Sequence, residues 1–198
     1  MRWGACLGLV LLAAGGMATW LNVGERQVSF YLPDVPVVQA LLDRGSAEQP
    51  EQPATGSRLR IPAIDVDAPI DDLGLNAQGQ VDSPSKWQDT GWYDGSPVPG
   101  DPGVSLVLGH VDSHTGPAVF YRLHELVPGS QVLVDRDGRE LRFSVVSVAN
   151  YPETALPNDR LFVTTGAPRL ALLTCSGDFN RATGRYDDRL IVFADPVP

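Results

Sequence analysis

Polar and apolar positions divide the chain into three unlike stretches. Trp3 to Gly24 is a run of 22 residues without a charge. As a helix it would reach about 33 Å, enough to cross a hydrocarbon layer of about 30 Å. From Glu25 to Gly56 the pattern loses any period. Val28 to Leu42 is apolar in places but interrupted by Pro33 and Pro36, and Gly45 to Gly56 is polar with two prolines. Such a stretch reads as a tether. From Ser57 onward the signals are those of strands. Leu59 to Ile70 alternates around Pro62 and Pro69, and Val104 to Leu108 is a short continuous apolar run. Gln131 to Val134 and Leu141 to Val148 flank Asp137-Gly138, a strong hairpin turn signal. Leu170 to Thr174 and Leu190 to Ala194 read as two further buried strands. Helical spacing is confined to Val119 to Val127, where Phe120, Leu123 and Leu126 or Val127 share one face, with another short helical turn expected near Ser83 to Gln88. Many short strands joined by Gly/Pro turns predict an all-β barrel or sandwich.

Arg2 and the α-amine precede the apolar run, so the positive-inside rule leaves the N-terminus in the cytoplasm and exports the rest. A cleaved signal peptide is the competing reading. Gly16-Met17-Ala18 matches a cleavage site only loosely, and the apolar run is long for a signal sequence, which favours a retained anchor. The expected organisation is a membrane anchor over 1–24, an extracytoplasmic tether over 25–56 and a folded domain over 57–198. The protein is thus expected in the cell membrane, crossing it once.

Composition narrows the function. With 43% hydrophobic and 20% charged residues, the 198-residue chain is not a disordered one. Its 24 acidic and 15 basic residues give a net charge of −9 without a Lys/Arg cluster, which argues against a nucleic-acid partner. Two cysteines, Cys6 and Cys175, make no disulfide framework.

If the chain is exported, Cys175 is the one thiol outside the membrane. Three readings are open for it: a buried inert side chain, an intermolecular disulfide, or a nucleophile. Its position favours the last, because it ends the apolar strand Leu170–Thr174 and opens the polar Ser176-Gly177-Asp178. A thiol of ordinary pKa needs a base or a cation nearby. His110 holds the equivalent place at the end of Ser105–Gly109, so parallel pairing of the two strands would bring both side chains to one rim. Arg189 opens Leu190–Ala194, about a dozen residues after Cys175. Antiparallel pairing there would turn its guanidinium toward the thiol, to stabilise a thiolate or an oxyanion. Arg181 and Arg185 are rivals for that role, and His114 and His124 read as solvated or structural.

At these residues the chain resembles the sortases, the cysteine transpeptidases of Gram-positive cell surfaces. The family's T-L-x-T-C strand is met by Ala171-Leu172-Leu173-Thr174-Cys175 with Ala in place of the first Thr, and its Arg strand is similar to Arg189–Ala194. Leu108-Gly109-His110-Val111-Asp112-Ser113, with Gly91-Trp92-Tyr93, Pro99-Gly100 and Phe120-x-x-Leu123-x-x-Leu126, looks like the class E/F group of actinobacteria, class F more than class E. The likeness runs from about Arg58 to Ala194. It implies a closed eight-stranded barrel with one or two short helices, and a two-step acyl transfer. In that scheme Cys175 attacks the Thr–Gly bond of an LPxTG-like sorting signal, His110 protonates the leaving amine, and Arg189 orients the signal and stabilises the oxyanion. An amine acceptor such as a peptidoglycan precursor then resolves the thioacyl enzyme. Thr174 takes a supporting place in substrate binding by the same resemblance. The connection from Asn150 to Arg169 would wall the groove, with Leu156, Pro157, Leu161 and Val163 supplying apolar surface for a Leu-Pro pair. The alternative is that these residues simply cover the barrel.

No cofactor or metal is expected. Asp135-x-Asp137-Gly138 lacks the remaining ligands of a calcium loop and reads as a turn. Zinc at His110-x-x-x-His114 with Asp112 is disfavoured because that spacing faces one way only on a helix, and Gly109 and Pro117 argue for a loop. An L,D-transpeptidase would carry His two residues before its Cys, where Leu173 stands. A non-catalytic surface β-domain, an adhesin or binding module, is the remaining competitor and would leave Cys175 unreactive.

Overall fold

The computed structural model describes residues 56–198. The apolar Trp3–Gly24 run, Cys6 and the tether up to residue 55 lie outside the described residues. Among the described residues no helix is long and apolar enough to cross a membrane.

Strand β1 (Arg58–Ile61) turns back on β2 (Val66–Leu73) through a 3₁₀ turn, Pro62–Ile64. Pro62 opens that turn, where a missing N–H costs no hydrogen bond, and Asp65 leaves it in a left-handed conformation at φ 57°. Strand β3 (Thr90–Tyr93) runs parallel to β2, and β4 (Val104–Gly109) runs antiparallel to β3. The two-residue strands β5 (Asp112–Ser113) and β6 (Gly116–Pro117) make a small separate hairpin. Strands β7 (Gln131–Arg136) and β8 (Arg139–Pro152) are joined by Asp137-Gly138, both at positive φ (51° and 74°), as a tight hairpin turn requires. Strands β9 (Arg169–Asn180) and β10 (Arg185–Pro196) form a long antiparallel hairpin. The closed order is β1-β2-β3-β4-β9-β10-β8-β7, with β7 pairing β1. The described residues form an all-β fold built on an eight-stranded closed barrel, as expected for this part of the chain.

Side-chain alternation sorts the strands into two apolar sets. Leu59, Ile61, Trp92, Val107, Val132, Phe143, Leu170, Leu172, Leu190 and Val192 fill the barrel. Leu106, Leu108, Ala171, Leu173, Cys175, Ile191 and Phe193 form a second buried cluster on the outer face of β4, β9 and β10. The connection after β8 covers this face, with a 3₁₀ turn at Glu153–Ala155 and one helical turn, α1 (Asn158–Leu161).

Three expectations change. The helical turn near Ser83–Gln88 is a bend and turn instead, because the Pro84 carbonyl is held by His110 and the Trp87 carbonyl by the Val119 N–H. The helix over Val119–Val127 shrinks to a 3₁₀ turn, Leu123–Glu125, because the Phe120 N–H bonds the His110 carbonyl rather than its own turn. The segment after Cys175 is not a dozen-residue loop: both strands extend through it and leave only residues 181–184 between them.

Candidate active site

The site follows from the register of three neighbouring strands. Strands β4 and β9 are parallel with Leu108 opposite Leu173, so His110 and Cys175, two residues further on, continue that alignment on the same outer face. Strands β9 and β10 pair with Arg189 directly opposite Cys175. A bulge between Tyr186 and Asp188 precedes that pair and lets Asp187 leave the ladder, where its Oδ1 accepts the Asp178 N–H at 2.8 Å. Gly177 makes the bulge possible. It has φ 79°, and a Cβ there would stand 2.3 Å from the Asp187 carboxylate.

Cys175 is enclosed, 3% exposed, and is the free cysteine of the described residues. Burial pushes its thiol up to about 11, with Glu153 and Asp112 adding in the same direction and the Arg189 charge opposing. His110 is 7% exposed, and its Nε2 donates to the Pro84 carbonyl at 2.8 Å. A carbonyl can only accept, so Nε2 carries the hydrogen and Nδ1 is left to exchange a proton. The ring leans on Trp87, with centroids 4.6 Å apart. Burial pulls the imidazole below its usual range, while the Pro84 bond and Asp112 pull it back up. Both groups therefore rest neutral.

Arg189 is 1% exposed, and both of its terminal nitrogens hold acceptors. Its Nη1 donates to the carbonyls of Tyr186 at 2.9 Å and Asp188 at 2.7 Å, and its Nη2 to Glu153 at 2.8 Å. Glu153 is shared with Arg185. Thr174 points the other way from Cys175: it is fully buried, and its hydroxyl donates to the Gly109 carbonyl at 2.8 Å. It ties the β9 end to the residue before His110 rather than lining a surface.

The four apolar residues of the covering connection spread along the outer face. Tyr151 pairs with Arg189, and Leu156 and Pro157 follow, half-buried. Leu161 is fully buried in the cluster. Val163 accepts the Val104 N–H at 2.7 Å, at the opposite end of β4 from His110, about 20 Å along the strand. Leu156 and Pro157 are therefore near the Arg189 end, and Val163 is not.

Glu153, Tyr186 and Trp87 carry no sequence signal for this arrangement, and Asp112 stands out in the sequence only within the Leu108–Ser113 stretch and as a disfavoured zinc ligand. The Tyr186 hydroxyl donates to Asp112 Oδ2 at 2.5 Å, bridging β10 to the β5–β6 hairpin. Burial and that donation both raise the Tyr186 phenol. Asp112 lies two residues after His110, a period-two signal for a shared side; nothing local marks Glu153 or Trp87. His114 meets Trp87 nearly at right angles with ring centroids 5.7 Å apart, and His124 Nδ1 bonds the Tyr121 carbonyl at 3.1 Å. Among the described residues no three His, Cys, Asp or Glu side chains converge as metal ligands.

Residues 59–197 match the family model described as the sortase domain. No curated protein matches the chain significantly. Sortase C-1 from Actinomyces oris is similar in structure, with TM-score 0.59 and 24% identity over 89% of this chain and 91% of that one. Sortase A from Corynebacterium diphtheriae gives TM-score 0.58 and 19% identity over 74% of this chain, which spans 62% of that protein's length. Streptococcus agalactiae sortase C1, in complex with MTSET, gives TM-score 0.57 and 20% identity over 72% of this chain and 68% of that one.

Proposed function

The chain belongs to the sortase family of cysteine transpeptidases, and on that premise we propose that it cleaves an LPxTG-like sorting signal between Thr and Gly and transfers the acyl group to an amine. The observation that carries this reading is the register that sets Arg189 directly opposite Cys175, with β4, which His110 directly follows, running parallel to β9. Cys175 is the nucleophile. Its proton passes to His110, the Sγ–carbon bond forms at the scissile carbonyl, and the imidazolium returns the proton to the leaving amine as the C–N bond breaks. Because burial raises the thiol and lowers the imidazole, the charged pair is a minor species at neutral pH and the proton moves as substrate engages. Arg189 acts through its fixed charge, felt by the thiol and by the oxyanion, since both terminal nitrogens already hold protein acceptors. An amine acceptor of the peptidoglycan-precursor type resolves the thioester. The motif around His110 supports a class F-like member, and the uncharged Trp3–Gly24 run supports an anchored enzyme facing outward.

The test is intact-mass spectrometry after incubation with an LPxTG peptide. Wild type is expected to gain an acyl mass that hydroxylamine releases, Cys175→Ala to gain none, and His110→Ala to acylate far more slowly. A second reading has one observation behind it: at 3% exposure Cys175 is enclosed, as in a non-catalytic β-domain. Absence of any adduct in wild type would favour that reading.

A further inference from the structure

Next to the thiol, but separated from it, lies a cleft of about 390 Å³ lined by Trp87, Asp112, Ser113, His114, Phe179 and Tyr186. Three of these walls are aromatic, and one is a carboxylate. The Phe179 and Tyr186 rings meet tilted at 59° with centroids 5.1 Å apart, and the Trp87 ring neighbours those of both His110 and His114. Neither Cys175 nor His110 lines the cleft. Tyr186 packs against the outer-face cluster that holds Cys175, and its hydroxyl is spent on Asp112. The Tyr186–Asp112 bond is therefore the partition between the cleft and the reacting pair.

Resting on the transpeptidase reading, we infer that this cleft receives the incoming acceptor as a primary ammonium, which displaces the Tyr186 hydroxyl from Asp112 and so opens the partition to the thioester. A carboxylate flanked by aromatic faces is a matched receptor for an alkylammonium, through a charge-assisted hydrogen bond and cation–π attraction. Exchange favours the newcomer, because a charged donor binds a carboxylate more strongly than a neutral phenol does. The cleft volume suits a small chain end rather than a second folded surface. On reaching the thioester the ammonium releases one proton to solvent, and its nitrogen attacks the acyl carbon. The C–N bond forms, the C–S bond breaks, and the second nitrogen proton passes by way of His110 to Sγ. The products are an amide and the free thiol.

The experiment acylates the full chain with an LPxTG peptide at neutral pH and resolves the thioester with two nucleophiles. One is triglycine amide, mostly an ammonium; the other is hydroxylamine, mostly neutral. The readout is the ratio of their kcat/KM values within each variant, which cancels any general damage to His110 or to acylation. Asp112→Asn is expected to lower the ratio at least about tenfold, and Asp112→Glu to restore part of it. Tyr186→Phe frees the carboxylate without changing wall volume and is expected to lower the KM for triglycine amide severalfold. A ratio unchanged within about twofold in Asp112→Asn overturns the proposal, as does a higher KM in Tyr186→Phe. If wild type forms no thioacyl enzyme at all, the transpeptidase reading fails and takes this proposal with it; normal acylation with an unchanged ratio sinks the proposal alone.

Discussion

Inside the barrel, β9 contributes Leu170, Leu172 and Thr174, while on its outer face the same strand sets Ala171, Leu173 and Cys175 beneath the connection that follows β8. The inner face is enclosed by strands on every side, so nothing reaches it without breaking the ladder. The outer face is closed by a 3₁₀ turn, a single helical turn and the Tyr186–Asp112 bridge. Local opening of such a cover costs far less than opening a barrel. One strand thus supplies a core closed by strands on one side and, on the other, a thiol covered only by short turns and one side-chain bridge. On the proposed reading, that contrast is what would let Cys175 be enclosed at rest and still serve as the nucleophile.

Substitutions on the two faces should separate activity from stability. The largest effect expected is on the outer face: Cys175→Ala lowers thioacyl formation by at least about 10³-fold, with a melting temperature within a few degrees of wild type. Retained acylation would remove Cys175 from its role. Next is Arg189→Met, which strands Glu153 beside Arg185 and is expected to cost about 3–5 kcal/mol and about 10²-fold in acylation. Pairing it with Glu153→Gln should recover much of the stability, read by urea unfolding, and none of the rate. On the inner face, Leu172→Ala is expected to cost about 2–5 kcal/mol, while acylation per folded molecule stays within about threefold. A large rate loss there would mean that the two faces are not independent.

A pH measurement sharpens the same contrast. Cys175 is held as a thiol well above its ordinary value of 9.0, near 11. Folding therefore favours the protonated form, so this contribution is intact below about pH 9 and is lost as pH rises toward 11. Wild type should lose roughly 2 kcal/mol over that window relative to Cys175→Ala, by chemical unfolding at fixed pH values. His110 has the opposite sign: its lowered pKa favours the neutral ring, so its contribution is intact above about pH 6.5 and is lost on acidification. The smallest effect is expected from Thr174→Val, which removes the bond to the Gly109 carbonyl. It should cost about 1–2 kcal/mol and slow acylation modestly through a looser His110.

Much of the barrel was legible in the sequence. The Asp137-Gly138 hairpin, the apolar run of β4 and the cores of β9 and β10 are local patterns, and they formed where those patterns stood. Strand β3 was not read as a strand, because Gly91-Trp92-Tyr93 has no alternation to betray it and both its faces are buried. Val119–Val127 carried helical spacing, yet most of it is not helix, because its first N–H groups are claimed by carbonyls far away in sequence. The polar residues after Cys175 looked like a loop, but pairing with β10 overrode composition, and Gly177 with the Asp187 bulge absorbed the misfit.

By itself the sequence determined which side chains are candidates for reactive chemistry and which strands present them, because strand alternation and turn residues act over a few positions. Tertiary structure alone decided the rest. Register put Arg189 across from Cys175, burial set both proton affinities, and the chain closed Glu153, Tyr186 and Asp112 around them. Solvation and charge depend on neighbours in space, and those neighbours come from segments that no local pattern links.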